Sequence, residues 1–176
     1  NDRLYKALGW DGEHYTAVTD TFSIEIFSDQ WELMEGNYYT LDSVTQEILS
    51  WWGLPMSSVE IEDISNYDGQ VFLASGQKLV RWDLSTGDTL VVDTFETDYI
   101  GITTGENELY AYDDDPSKGL LLEMGHDFTI QKTYAVMRSD TPDQKLNISG
   151  YLALDSEGKL WTISSGEIYR ITLVGE

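Results

Sequence analysis

The sequence has no cysteine, three prolines, two histidines and only ten basic residues against 32 acidic ones. The first absence removes disulfides, thiolate zinc sites and cysteine nucleophiles together. It leaves the compartment open, since disulfides suit secreted proteins without being required of them. The scarcity of Lys and Arg leaves a net charge of −22. Such a surface repels phosphate backbones and anionic lipid, so neither nucleic acid nor direct membrane binding is expected. No apolar run approaches the ~20 residues of a membrane helix. The chain begins at Asn1 rather than Met, which reads as a processed chain or an excised domain.

Catalytic patterns are missing too. No G-x-S-x-G, H-E-x-x-H or phosphate-loop motif occurs. His14 falls in a strand and His126 in a turn, neither with a Ser or acidic partner at a catalytic spacing. No enzyme activity and no organic cofactor is expected. Carboxylates are too abundant to single out a glycosidase pair.

What the chain does have is apolar and aromatic material, 41% and 12% of residues, enough for a packed interior. It also has a repeated phrase. "GWDGEHYTAV" (9–18), "NYDGQVFLAS" (66–75), "TGENELYAYD" (104–113) and "DSEGKLWTIS" (155–164) each join a polar turn to a β-prone run. Aligned on their aromatics Tyr15, Phe72, Tyr110 and Trp161, they place His14 where the other copies are apolar. Asn107 stands in for Gly in the third copy; both tolerate positive φ. The aromatics lie 57, 38 and 51 residues apart. A period of about 40–50 with turn-plus-strand content is that of a propeller blade.

Strand-like runs flank each copy. Four are legible in the first three units, whereas the fourth stops after "EIYRITLV". The fold expected is all-β: one four-bladed β-propeller of antiparallel four-stranded blades, the last one strand short. The blades fall at about 1–42, 57–97, 98–137 and 146–176. The rival is half of an eight-bladed ring. "SVTQEILSWWG" (43–53) reads as one short turn of helix. In the second unit, "GQVFLASGQKLVRWDLSTGDTLVVD" resembles blades of the quinoprotein and WD40-like propeller superfamilies, with Trp82-Asp83 followed by Ser-Thr-Gly (85–87). The resemblance implies the fold and no activity.

Several residues invite function. The unfinished fourth blade offers a strand edge, and Tyr169, Ile171 and Leu173 are its apolar positions. The pair Trp51-Trp52, in the connection between units one and two, suits a partner or ligand contact. Asp113, Asp114 and Asp115 form an oxygen-rich turn of the kind calcium uses. Asn147 opens an Asn-x-Ser glycosylation triplet. Together these point to an extracellular or cell-surface structural or adhesive module that associates with copies of itself in an array or filament. The alternative is a lectin-like domain binding carbohydrate, and the third reading is a fragment of a propeller enzyme.

Overall fold

The computed structural model describes residues 5–10, 13–19, 23–40, 61–93, 99–113, 119–141, 144, 146, 148 and 151–174. They form fifteen strands and no helix. Blade 1 contains β1 (Tyr5–Trp10), β2 (Tyr15–Thr19), β3 (Ser23–Phe27) and β4 (Leu33–Thr40). Blade 2 contains β5 (Asp63–Tyr67), β6 (Gln70–Ser75), β7 (Lys78–Asp83) and β8 (Thr89–Asp93). Blade 3 contains β9 (Tyr99–Thr104), β10 (Leu109–Asp113), β11 (Leu120–Met124) and β12 (Ile130–Ala135). Blade 4 has three strands, β13 (Leu152–Leu154), β14 (Leu160–Ser164) and β15 (Glu167–Ile171). Each blade is an antiparallel meander in chain order, and the four stand in a ring as a four-bladed propeller.

Turn chemistry explains the meanders. Asp68 and Gly69 both take positive φ, 49° and 73°, between β5 and β6; Ser165 and Gly166 do the same between β14 and β15. Two successive left-handed residues make the hairpin turn that matches strand twist. Burial explains the stacking. β6 and β10 are buried on both faces along most of their length, because a blade is covered from both sides. β15 instead alternates between exposed and half-buried, so only one of its faces is covered.

The core lies in the seams between blades. Ala7, Val18 and Ile24 of blade 1 cluster with Ile64, Leu73 and Val80 of blade 2. Phe72, Ala74 and Leu79 cluster with Ile102, Leu109 and Leu122 of blade 3. Tyr110, Tyr112 and Leu121 cluster with Leu152 and Leu160 of blade 4. Polar contacts add to this at the ring's centre. Asp63, 4% exposed, accepts from its neighbour Ile64 N at 2.9 Å through Oδ1. Its Oδ2 accepts from Ile102 N at 2.9 Å and Leu152 N at 3.4 Å, joining the inner strands of blades 2, 3 and 4.

The seams also correct the repeat alignment. Val18 and Ile24 face the next blade as Ala74 and Leu79 do, and as Tyr112 and Leu121 do. Two residues back along the second strand, Thr16 therefore occupies the place of Phe72, Tyr110 and Trp161. Tyr15 is displaced by one and faces the other side. The cause is one extra residue between turn and strand: Tyr15 follows Gly12 by three, whereas its seam equivalents Val71, Leu109 and Leu160 follow Gly69, Asn107 and Gly158 by two. A one-residue shift in a strand turns every side chain over.

Candidate functional site: the open side of the ring

Three seams carry a hydrophobic cluster. Among the described residues, none spans blade 4 and blade 1. Equivalent positions make the contrast quantitative. Ile64, Ile102 and Leu152, which face back toward the preceding blade, are 3%, 0% and 6% exposed; Leu8, their counterpart in blade 1, is 48% exposed. Ile24, Leu79 and Leu121, which face forward, are 1%, 0% and 0% exposed; Ile168, their counterpart in blade 4, is 72% exposed. Pairing in the sheet puts Ile163 beside Ile168 and Trp161 beside Arg170 on that same uncovered face. Ile168 and Arg170 are both exposed, and Ala153 lies across from Trp161.

Blade 1's backward face is buried at Ala17 and Glu25 and carries an exposed row of aromatics toward its end. Trp10 lies 4.3 Å from Tyr15 between ring centroids, and Tyr15 stacks on Trp31 at 4.2 Å and 12°. Phe27 lies beyond, 6.3 Å from Trp31 and 6.0 Å from Tyr5. Trp10 is 45% exposed and Trp31 54%. Trp31 sits at φ 63°, a left-handed conformation that a bulky side chain rarely adopts. The turn enforces it: Trp31 N donates to Ser28 O at 3.0 Å, and Ser28 Oγ accepts from the amides of Gln30 and Glu32. Beside Trp10 opens a groove of about 400 Å³ lined by Glu13, His14, Ser28, Asp29 and Met34. Tyr5 donates its hydroxyl to Glu25 Oε2 at 2.8 Å; Glu25 is buried in this face.

The residues singled out by sequence fall differently. Tyr169, Ile171 and Leu173 pack against the cluster shared with blade 3, so they face inward rather than out. Among the described residues no strand pairs with the outer edge of β15, the last strand of blade 4. Asp113 closes β10, buried and paired with Leu120. Asp114, Asp115, Trp51, Trp52 and Asn147 lie outside the described residues, as do the residues of the expected helical turn at 43–53. Among the described residues no three His, Asp or Glu side chains converge to hold a metal ion. No described helix is long and apolar enough to cross a membrane.

The two histidines take non-equivalent positions. His126 Nε2 lies 3.2 Å from Gly105 O, and its ring packs 5.2 Å from Phe72 and 5.7 Å from Tyr67. Arg81 donates to its carbonyl at 3.0 Å. This is a strut between blades 2 and 3. His14 is half-buried, with Nε2 4.0 Å from Glu13. The carboxylates of the turns act on backbone. Asp155 Oδ1 accepts from the amides of Glu157 and Lys159, and Oδ2 from Trp161 Nε1 at 2.8 Å. Those bonds, the Lys159 amide foremost, hold its pKa below the usual carboxylate value.

Sequence reasoning missed Trp10, Trp31, Ile163 and Ile168. The alternation in "EIYRI" carried the signal for Ile168, which is one residue from Tyr169 and so lies on the opposite face of the strand. No sequence signal marks the φ of Trp31.

No family model matches the chain, and no curated protein matches it in sequence. Solved structures match in fold. The computationally designed Ika4 protein matches at TM-score 0.52 and 11% identity, over 98% of this chain and 94% of that one. The designed Ika8 protein matches at 0.50 and 11%, over 95% of this chain and 46% of that one. The extracellular domain of a one-component system, BT4673 of B. thetaiotaomicron, matches at 0.56 and 13%, over 98% of this chain and 28% of that one. At such identities the likeness is one of fold: this chain is a β-propeller.

Proposed function

We propose that the chain is a non-catalytic propeller module of the cell exterior that associates with copies of itself through the open side of its ring. One observation carries the reading: large apolar side chains stand exposed on blades 1 and 4 at the positions that other blades bury. Contiguous uncovered apolar surface of this kind marks interaction sites. The outer edge of β15, unpaired among the described residues, lies on the same blade and offers backbone donors and acceptors to an added strand. The exterior setting rests on strong acidity and on fold likeness to an extracellular domain.

Light scattering across a hundredfold concentration range tests the reading. A particle mass above one chain, rising with concentration, is the expected result. A single-chain mass throughout, with and without calcium, rejects it.

A second reading has its own observation. Trp10, Tyr15 and Trp31 form a stacked, part-exposed aromatic surface flanked by Glu13, Ser28 and Asp29. Aromatic faces beside hydrogen-bonding groups suit a sugar ring. Quenching or enhancement of tryptophan fluorescence by a sugar, lost in Trp31→Ala, favours this lectin-like role over assembly.

A further inference from the structure

The seams that are filled follow one rule of opposition, and the rule specifies a partner for the seam that is not. A Cβ placed on Gly9 of blade 1 would meet Asn66 Oδ1 of blade 2 at 2.7 Å. Ser65 Oγ accepts from Thr104 N of blade 3 at 3.0 Å. Thr103 Oγ1 accepts from Leu154 N of blade 4 at 3.1 Å. By strand pairing, Gly9, Ser65, Thr103 and Ala153 are equivalent, and so are Trp10, Asn66, Thr104 and Leu154. Two positions earlier, on the same strand faces, Asp63 binds Ile102 N, and a Cβ on Gly101 would meet Leu152 Cγ at 3.1 Å. The next step of the series sets Ala153 against Trp10 and Tyr151 against Leu8.

We propose that this step is taken between two copies of the chain: blade 4 of each packs on blade 1 of the other, and two four-blade units close a two-fold ring of eight blades. The inference rests on the self-association reading and specifies its geometry. Three observations favour a second copy as occupant. The two uncovered faces have the forward and backward character of a propeller seam, so each is the complement of the other in kind. They complement in charge, with Arg170 exposed on blade 4 and Glu13 and Asp29 beside Trp10 on blade 1. And a four-blade unit of this shape makes up 94% of one solved chain and 46% of another, so the unit also fits within a larger body. Reciprocal contact of this sort closes and needs no filament.

The absence of cysteine gives a clean test, because any introduced thiol is alone. One preparation carries Trp10→Cys and a second Ala153→Cys; they are mixed and oxidised, or bridged with a short bis-maleimide. The pair Leu8→Cys and Tyr151→Cys serves as an independent repeat that leaves Trp10 in place. A covalent species of two chains, in the mixture and not in either preparation alone, is the expected result. Ile168→Asp should weaken the association at least tenfold while leaving the melting temperature of the single chain within about 2 °C. A link formed within one chain carrying both thiols overturns the proposal: the four blades then close on themselves. A two-chain mass with neither pair linking also overturns the eight-blade ring, yet leaves self-association standing. A single-chain mass rejects both.

Discussion

At the scale of single residues, the most consequential group is Asp63. Burial in the ring's centre pushes its pKa up to about 7, against the pull of the amides of Ile102, Ile64 and Leu152. The sign of its effect on stability follows. The folded state holds a proton over a range where the unfolded chain has released it. Stability from this group is therefore complete below about pH 4 and is lost as pH rises to about 7, by roughly 4 kcal/mol as an upper bound. Turn carboxylates such as Asp127 and Asp140, held low by their hydrogen bonds, act in the opposite direction and only in more acid solution. The melting temperature should pass through a maximum near pH 4–5 and fall toward pH 8. In Asp63→Asn the fall should be markedly shallower, since the group no longer titrates. A wild-type melting temperature that climbs from pH 5 to 8 rejects this account of the clasp.

Gly9 shows the same economy of space. An added methyl would press on Asn66 Oδ1 and, at 3.2 Å, on the carbonyl of Ile64, a backbone atom that cannot swing away. Gly9→Ala should cost about 1–3 kcal/mol, the range of an overpacked interior, measurable by urea unfolding. Gly158, with open space around its Cβ, serves as a comparison of another kind: its φ of 74° makes Gly158→Ala costly through backbone strain alone.

At the scale of elements, β15 divides the chain's readable information from the rest. Its two faces differ by design of the alternation, with Tyr169 and Ile171 toward the blade 3 seam and Ile168 and Arg170 toward open solvent. The sequence showed that this strand ends the last blade, because strand count needs only turns and apolar runs. It did not show which face was free. That depends on the direction in which blades stack, a tertiary fact absent from local pattern. The first repeat failed for a related reason: an aromatic can sit on either face, and one extra residue after Gly12 puts Tyr15 on the face opposite to that of Phe72. Asp63 was invisible as a clasp, since its partners Ile102 and Leu152 come from two other blades. Truncations separate the two faces of the element. Leu160→Ala, in a filled seam, should cost about 2–5 kcal/mol. Ile168→Ala should change the unfolding free energy of the single chain by less than about 0.5 kcal/mol.

At the scale of the whole molecule, charge sets the terms on which copies can meet. Each chain carries −22, so bringing two together is opposed by long-range repulsion that the local pairing of Arg170 with acidic groups does not cancel. Under the proposed association the drive must then be apolar contact: Leu8, Trp10 and Trp31 on one side, Ile163 and Ile168 on the other. These two forces respond oppositely to salt. Screening shortens the repulsion to about 10 Å at 0.1 M and about 3 Å at 1 M, while apolar burial persists. Association should therefore tighten as sodium chloride rises from 0.05 to about 0.5 M, as read by sedimentation velocity at fixed protein concentration. An interface held by ion pairs would loosen over the same range, and that outcome would move the contact away from the blade faces. Calcium tightening the complex at constant ionic strength would instead point to a bound cation as a bridge. The apolar mechanism predicts that calcium and magnesium act alike once matched for ionic strength, because both then serve only to screen.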